Sequence, residues 1–155
     1  MNPEVSVIIL AYNTEEYIAK SIKSALEQTE KNIELITVDD GSKDKTLDII
    51  KSFSDERIKV LVNQKNRGQN FSTNLAIHEA QGNWVTRLDS DDWYAVDRLE
   101  KLLNIANSQN IDMIADDIYF IQDGQDTPWS TLLTQSRCKI KNNIKISPIS
   151  FVEKD

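Results

Sequence analysis

The sequence predicts an α/β fold: a mostly parallel sheet flanked by helices on both faces. Short apolar runs alternate with stretches of helical periodicity in the order β-α-β-α-β-α-β-α-β, and such alternation lays strands side by side in parallel with helices as crossovers. The first run, Val5-Ser6-Val7-Ile8-Ile9-Leu10, is β-branched and apolar almost throughout, as in strands buried on both faces. Polar turns follow three of the runs, where an open parallel sheet has its carboxyl ends and binds its ligands.

The elements follow in order. After the first strand and Ala11-Tyr12-Asn13, Thr14 is placed to cap a helix. Ile18, Ile22, Ala25 and Leu26 recur at i, i+4, i+7 and i+8 on that helix, an amphipathic spacing. Ile33–Val38 reads as a second strand, stopped by Asp39-Asp40-Gly41-Ser42, and Leu47, Ile49, Ile50 and Phe53 follow on a helix. Arg57–Val62 reads as a third strand and Asn66-Arg67-Gly68 as a turn. Phe71, Leu75, Ile77 and Ala80 belong to a third helix, with Gly82 where a left-handed C-cap is expected. A fourth strand, Trp84-Val85-Thr86, leads to Leu88-Asp89-Ser90-Asp91-Asp92-Trp93, and Leu99, Leu102, Leu103 and Ala106 line a fourth helix. Ile111–Ala115 and Ile118–Ile121 read as further strands. The pattern weakens after Gly124, dividing the chain into a core over 1–124 and a loop-rich basic extension over 125–155.

At 155 residues the chain has the length of about one domain. Its formal charge of −7 argues against general nucleic-acid binding. The charge is uneven. Residues 127–152 hold Arg137, Lys139, Lys141 and Lys145 and no acid, which leaves residues 1–126 near −10. This basic stretch is either a solvated segment or an attraction to an anionic acceptor or membrane surface. The single Cys138 permits no internal disulfide and fits a reducing, cytoplasmic compartment. No apolar run is long enough to span a membrane, and the start lacks the pattern of a signal peptide. No glycine-rich phosphate fingerprint of the dinucleotide-binding or P-loop type and no G-x-S-x-G elbow occurs.

The chemistry gathers at the predicted rim. Asp89, Asp91 and Asp92 place three carboxylates within four residues. Like charges roughly 4 Å apart repel by about 4 kcal/mol at an effective dielectric near 20. A hard divalent cation, Mg²⁺ or Mn²⁺, reverses that sign and can also take diphosphate oxygens. The alternative is helix capping by Asp91 or Asp92. Convergence with Ala11-Tyr12-Asn13 and Asp39-Asp40-Gly41 favours the cation for Asp89 and Asp91 and leaves Asp92 to capping. Tyr12 either lies against a base or sugar ring or closes the core. Asn13 can bond a ligand through main chain or side chain. Asp39 either accepts an imide N–H such as that of uracil or stabilises the turn, and Asp40 reads more as a turn residue. Arg67 either bonds a base carbonyl or phosphate or is solvated. His78, without a second His or a Cys nearby, reads as surface or packing.

Taken together, Val5–Asn13, Val38-Asp39-Asp40-Gly41-Ser42, Asn66-Arg67-Gly68 and Leu88–Trp93 resemble the ordered motifs of family 2 glycosyltransferases with the GT-A fold. The resemblance covers about residues 4–122. It implies metal-dependent transfer of a sugar from a nucleotide-diphospho-sugar, most commonly a UDP-sugar, to a glycan or lipid-linked acceptor, usually with inversion. It also implies roles. Asp39 recognises the base, Ala11, Tyr12 and Asn13 line the nucleotide, and Arg67 and Gly68 lie near base or phosphates. Asp89, with Ser90, approaches the ribose or donor sugar, and Asp91 ligates Mn²⁺ or Mg²⁺. The sequence departs from the family's usual pattern at Leu10, Thr73 and Val96. In the family the general base is an acid in the second half of the catalytic domain. Here Asp116, Asp117 and Glu153 are only remote candidates, so a non-catalytic nucleotide-sugar-binding module is the alternative. The extension reads as the start of an acceptor-binding half.

Overall fold

The structure, a computed structural model, describes residues 2–125 and 127–135. Cys138, the basic stretch and Glu153 lie outside the described residues. The chain divides into two compact units, Met1–Ile111 and Asp112–Asp155.

The first unit contains β1 (Val5–Ala11), α1 (Ile18–Leu26), β2 (Ile33–Asp39), α2 (Thr46–Ser52), β3 (Ile58–Val62), α3 (Gln69–Glu79), β4 (Trp84–Asp89) and α4 (Arg98–Gln109). Its four strands form one sheet in the order β3-β2-β1-β4, every neighbouring pair parallel. β1 is paired along both edges, so its side chains are buried above and below the sheet. Val7, Ile9 and Ala11 pack with Ile18 and Ile22 of α1, Ile50 of α2 and Leu99 of α4 on one face. Ile8 packs with Ile36, Val38 and Ala76 of α3 on the other. This two-sided burial explains why the β1 run lacks polar alternation. Its one buried hydroxyl, Ser6, donates to Glu34 Oε1 and accepts from the Gly82 amide.

Several local expectations change. α1 begins at Ile18, and Thr14 opens the preceding turn through its carbonyl, which accepts from the amides of Tyr17 and Ile18. The Thr14 hydroxyl makes no cap bond and is buried without a partner. On α3 the inward residues are Ser72, Leu75 and Ala76, while Phe71 and Ile77 are exposed. Gly82 is not a left-handed cap. It is small because a Cβ there would lie 2.5 Å from the Ser6 amide nitrogen. α4 starts at Arg98 with Asp97 at its N-cap position, six residues beyond Asp92, so Asp92 caps no helix. Ile111–Ala115 forms no strand, and among the described residues the parallel sheet has four strands. His78 is exposed, as expected.

In the second unit, β5 (Tyr119–Ile121) and β6 (Pro128–Thr131) pair antiparallel with an irregularity between Phe120 and Ile121. The rings of Phe120 and Trp129 stand 5.8 Å apart, and a four-residue helix, α5 (Leu132–Gln135), follows.

The close approach at Gly82 yields a stability prediction. Gly82→Ala forces a Cβ against the β1 backbone, and overpacking of that kind costs about 1–3 kcal/mol. Urea unfolding followed by circular dichroism should show that loss, whereas the exposed change His78→Ala should stay within about 0.5 kcal/mol of the parent.

Candidate functional site

Strand register builds the rim. β1 and β2 place Ala11 opposite Asp39, and β1 and β4 place Leu10 opposite Asp89. The carboxyl ends of three adjacent strands therefore finish at one level, as the sequence predicts.

Asp39 is 1% exposed. Its Oδ2 accepts from the Ser42 amide at 3.3 Å, while Oδ1 is buried with no hydrogen-bond partner. An unsatisfied buried carboxylate oxygen is costly. A ligand N–H reaching the rim would remove that cost.

Asp40 serves the structure. Its Oδ1 accepts from the Arg67 amide (2.9 Å) and Asn63 Nδ2 (2.7 Å), and its Oδ2 accepts from the Gly68 amide (2.9 Å). Burial alone would raise its pKa, but hydrogen bonds from the Arg67 amide, Asn63, Ser72 and the Gly68 amide outweigh this and hold it below the ordinary value. The main-chain donors of Arg67 and Gly68 are thus committed to Asp40. What this turn can offer a ligand is the Arg67 guanidinium, which lies 3.8 Å over the Phe71 ring. Gly68 itself sits at φ +85, a backbone region that favours glycine. Gly41, at φ +77, lies where a Cβ would come within 2.6 Å of the Lys65 backbone, so the two turns are in direct contact.

The loops after β1 and β2 are tied reciprocally. The Asn13 amide donates to Ser42 Oγ, and Asn13 Oδ1 accepts from the Lys43 amide. The amides of Thr14 and Glu15 donate to Thr46 Oγ1 and Asp44 Oδ2, and Glu15 Oε2 accepts from the Lys45 amide. Asn13 adopts φ 54, a left-handed conformation that Asn tolerates. Its amide and side-chain oxygen are therefore engaged within the protein. Tyr12 is 45% exposed and stands at the rim rather than closing the core.

Asp89, Asp91 and Asp92 are exposed and Ser90 is buried. The Asp92 amide donates to the Asp89 carbonyl at 3.0 Å, closing the turn. Asp89 pairs with Arg87 at 3.1 Å, both side chains about half exposed, an arrangement worth little and readily exchanged for a stronger partner. Although Asp92 is exposed as a residue, partial desolvation of its carboxyl first, and then the charges of Asp91 and Asp89, push it above its ordinary value. The turn thus gathers three carboxylates, with Arg87 paired to Asp89. No group of three or more candidate metal ligands converges among the described residues. Two carboxylates nevertheless suit an ion that draws its other oxygens from a diphosphate, and the hard-oxygen donor set of Asp89 and Asp91 fits Mg²⁺ or Mn²⁺.

Helix α1 holds this turn from below. Ser21 Oγ donates to the carbonyls of Ser90 (2.8 Å) and Asp92 (2.6 Å). Ser24 Oγ accepts from the Tyr94 amide, and Gln28 bonds the Ala95 carbonyl and the Leu99 amide. These contacts were not foreseen from the sequence. The available signal was the i, i+3, i+7 spacing of Ser21 and Ser24 on α1 and Gln28 just beyond its end.

A cavity of about 280 Å³ lies at the opposite, amino-terminal end of the strands, lined by residues including Asn32, Glu34, Arg57 and Lys59. Its basic groups are committed, Arg57 to Asp55 and Lys59 to Glu79, so it offers less to an anionic ligand than the rim does.

Comparison with known proteins bears on this rim. The family model described as Glycosyl transferase family 2 matches residues 6–152. The chain belongs to this family. It is 40% identical over 107 residues to the Escherichia coli protein named UDP-Glc:alpha-D-GlcNAc-diphosphoundecaprenol beta-1,3-glucosyltransferase WfgD, spanning 69% of this chain and 42% of WfgD. It is similar to the crystal structure of S. aureus TarS 1-349 in complex with UDP-GlcNAc, with TM-score 0.68 and 27% identity over 81% of this chain and 37% of that one. A mannosyltransferase, PcManGT from Pyrobaculum calidifontis, in complex with GDP-Man and Mn2+, gives TM-score 0.62 and 25% identity over 68% of this chain and 33% of that one. The chain thus spans less than half the length of each of these proteins. The α/β sheet is that of GT-A structures such as TarS. Asp116 and Asp117 belong to the second unit.

The lowered Asp40 pKa fixes a pH dependence. A carboxyl whose folded pKa lies below its unfolded value stabilises the fold above the unfolded value, near 3.9. That stability is lost as pH falls through the lower folded value. Asp40→Asn should cost about 1–3 kcal/mol at pH 7, and the gap to the parent should narrow in urea titrations below about pH 4.

Proposed function

We propose that this chain carries the donor-binding part of a metal-dependent, inverting glycosyltransferase that moves a sugar from a UDP-sugar to a glycan or lipid-linked acceptor. One observation carries the reading. A buried, unpartnered carboxylate oxygen on Asp39 shares the rim of three adjacent parallel strands with a turn that gathers three carboxylates, one of them in an exposed pair with Arg87. The first suits a base N–H and the second suits a cation bound to a diphosphate.

In this reading Asp39 Oδ1 accepts the uracil imide N–H, and exposed Tyr12 lies against the base or sugar ring. Arg67 extends its guanidinium from a turn fixed by Asp40 toward base or phosphate oxygens. Asp91, with Asp89, would hold Mn²⁺ or Mg²⁺, which when bound offsets negative charge on the departing diphosphate. Asp89 can release Arg87 to do so, since an exposed ion pair is weak. The acceptor hydroxyl still needs a base, which this reading assigns to the remainder of a longer enzyme. The names of WfgD, with a UDP-Glc donor and a diphosphoundecaprenol-linked acceptor, and of TarS with UDP-GlcNAc support the donor and acceptor classes. The Mn2+ complex of PcManGT supports the ion.

Calorimetric titration with UDP, with and without Mn²⁺, tests the reading. Mn²⁺ should tighten UDP binding, Asp91→Ala should remove that gain, and Asp39→Ala should weaken binding about 10- to 100-fold in either condition, the loss of a charged acceptor for a buried N–H. UDP affinity that is the same with and without Mn²⁺, and untouched by Asp91→Ala, would contradict it.

A further inference from the structure

We propose that Ser21, on the inward side of α1, is a positioning residue for the cation: its hydroxyl fixes the main chain on either side of Asp91. The proposal rests on the cation reading given above.

Ser21 is fully buried. Its Oγ lies 2.8 Å from the Ser90 carbonyl oxygen and 2.6 Å from that of Asp92, the two residues that flank Asp91. One hydroxyl carries one proton, so the two carbonyls share a single donor and are drawn toward the same point on α1. The Asp92 amide closes back on the Asp89 carbonyl. The four residues from Asp89 to Asp92, three of them carboxylates, are therefore folded on themselves and pinned to a helix about 70 positions earlier in the chain.

The pin has physical work to do because Asp89, Asp91 and Asp92 repel one another. Without it the turn can relax apart, and a cation would have to gather its ligands as it binds. With it that ordering is already done, and preorganisation appears as affinity. Ser21 reaches carbonyls only, so its effect on the ion runs through the backbone. Ser24, one turn further along α1, bonds the Tyr94 amide, beyond the carboxylates. It provides the control: its hydroxyl accepts from that amide and donates to the Ser21 carbonyl within the helix, so it reaches no carbonyl of the carboxylate turn.

The test uses the chain as it stands, with MnCl₂ and UDP as probes. Calorimetry reads Mn²⁺ affinity in saturating UDP and UDP affinity without metal, and amide hydrogen exchange reads Asp92 in the metal-free protein. Ser21→Ala should lower Mn²⁺ affinity about 10- to 100-fold, as loss of a group that orients metal ligands typically does. It should speed exchange at Asp92 and leave metal-free UDP affinity unchanged. Ser24→Ala should leave Mn²⁺ affinity unchanged, and Ser21→Thr, which keeps the hydroxyl, should retain most of it. Unchanged Mn²⁺ affinity in Ser21→Ala, or an equal loss in Ser24→Ala or Ser21→Thr, overturns the positioning role while leaving the cation reading standing. A parent protein whose UDP binding ignores Mn²⁺ overturns the cation reading and this inference with it.

Discussion

Everything at the rim depends on the parallel pairing of β1 with β2 on one side and β4 on the other. Because all three strands run the same way and are in register at Ala11, Asp39, Leu10 and Asp89, their following loops emerge at one level. Antiparallel pairing or a shifted register would send Asp39 and Asp89 to different places. A register slip of one residue would also turn every β1 side chain to the opposite face. The buried packing on both faces of β1 is what forbids that slip, so the core and the rim are consequences of the same constraint.

The sheet brings the loops together, and side chains then fix them to one another. Asp40 collects the amides of Arg67 and Gly68. Asn13 and Glu15 exchange bonds with the loop before α2. Ser21 and Ser24 of α1, and Gln28 just after it, lace this part of the chain to the segment from Ser90 to Leu99. In each case a short polar side chain satisfies backbone groups that no regular element reaches. At the rim, among the described residues, Asp39 Oδ1 is buried without a hydrogen bond and Asp91 stands exposed among like charges. A buried unsatisfied oxygen and a carboxylate among like charges are liabilities for folding, and they acquire a purpose in a site that receives a donor and a cation.

The central strands β1 and β2 were legible because two-sided burial writes itself as apolar runs. The edge strands β3 and β4, only partly buried, were legible because shorter β-rich runs fall in turn between helical stretches. Asp39, Asp89 and Asp91 stood out because carboxylates at strand ends need a reason. Asp40 looked like a turn residue, since its partners Asn63, Arg67 and Gly68 lie more than twenty positions away. Ser21 was hidden for the same reason. The third helix misled because Phe71 and Ile77 are apolar yet outward-facing, Phe71 beneath the Arg67 guanidinium. Ile111–Ala115 has strand-like composition and finds no partner in the sheet, and composition alone cannot supply one. Asp92 seemed a cap because the start of α4 was placed too early. The intervening turn is held by main-chain and Ser21 bonds that leave no mark in local sequence.

The central claim is that one rim, at the carboxyl ends of β1, β2 and β4, receives the nucleotide diphosphate. Amide chemical shifts recorded while titrating UDP and Mg²⁺ into the isotope-labelled chain test it most directly. The largest changes should fall on Ala11 to Asn13, Asp39 to Ser42, Arg67 and Gly68, and Asp89 to Asp92. Changes concentrated instead on Asn32, Glu34, Arg57 and Lys59, around the cavity at the other end of the strands, would contradict it.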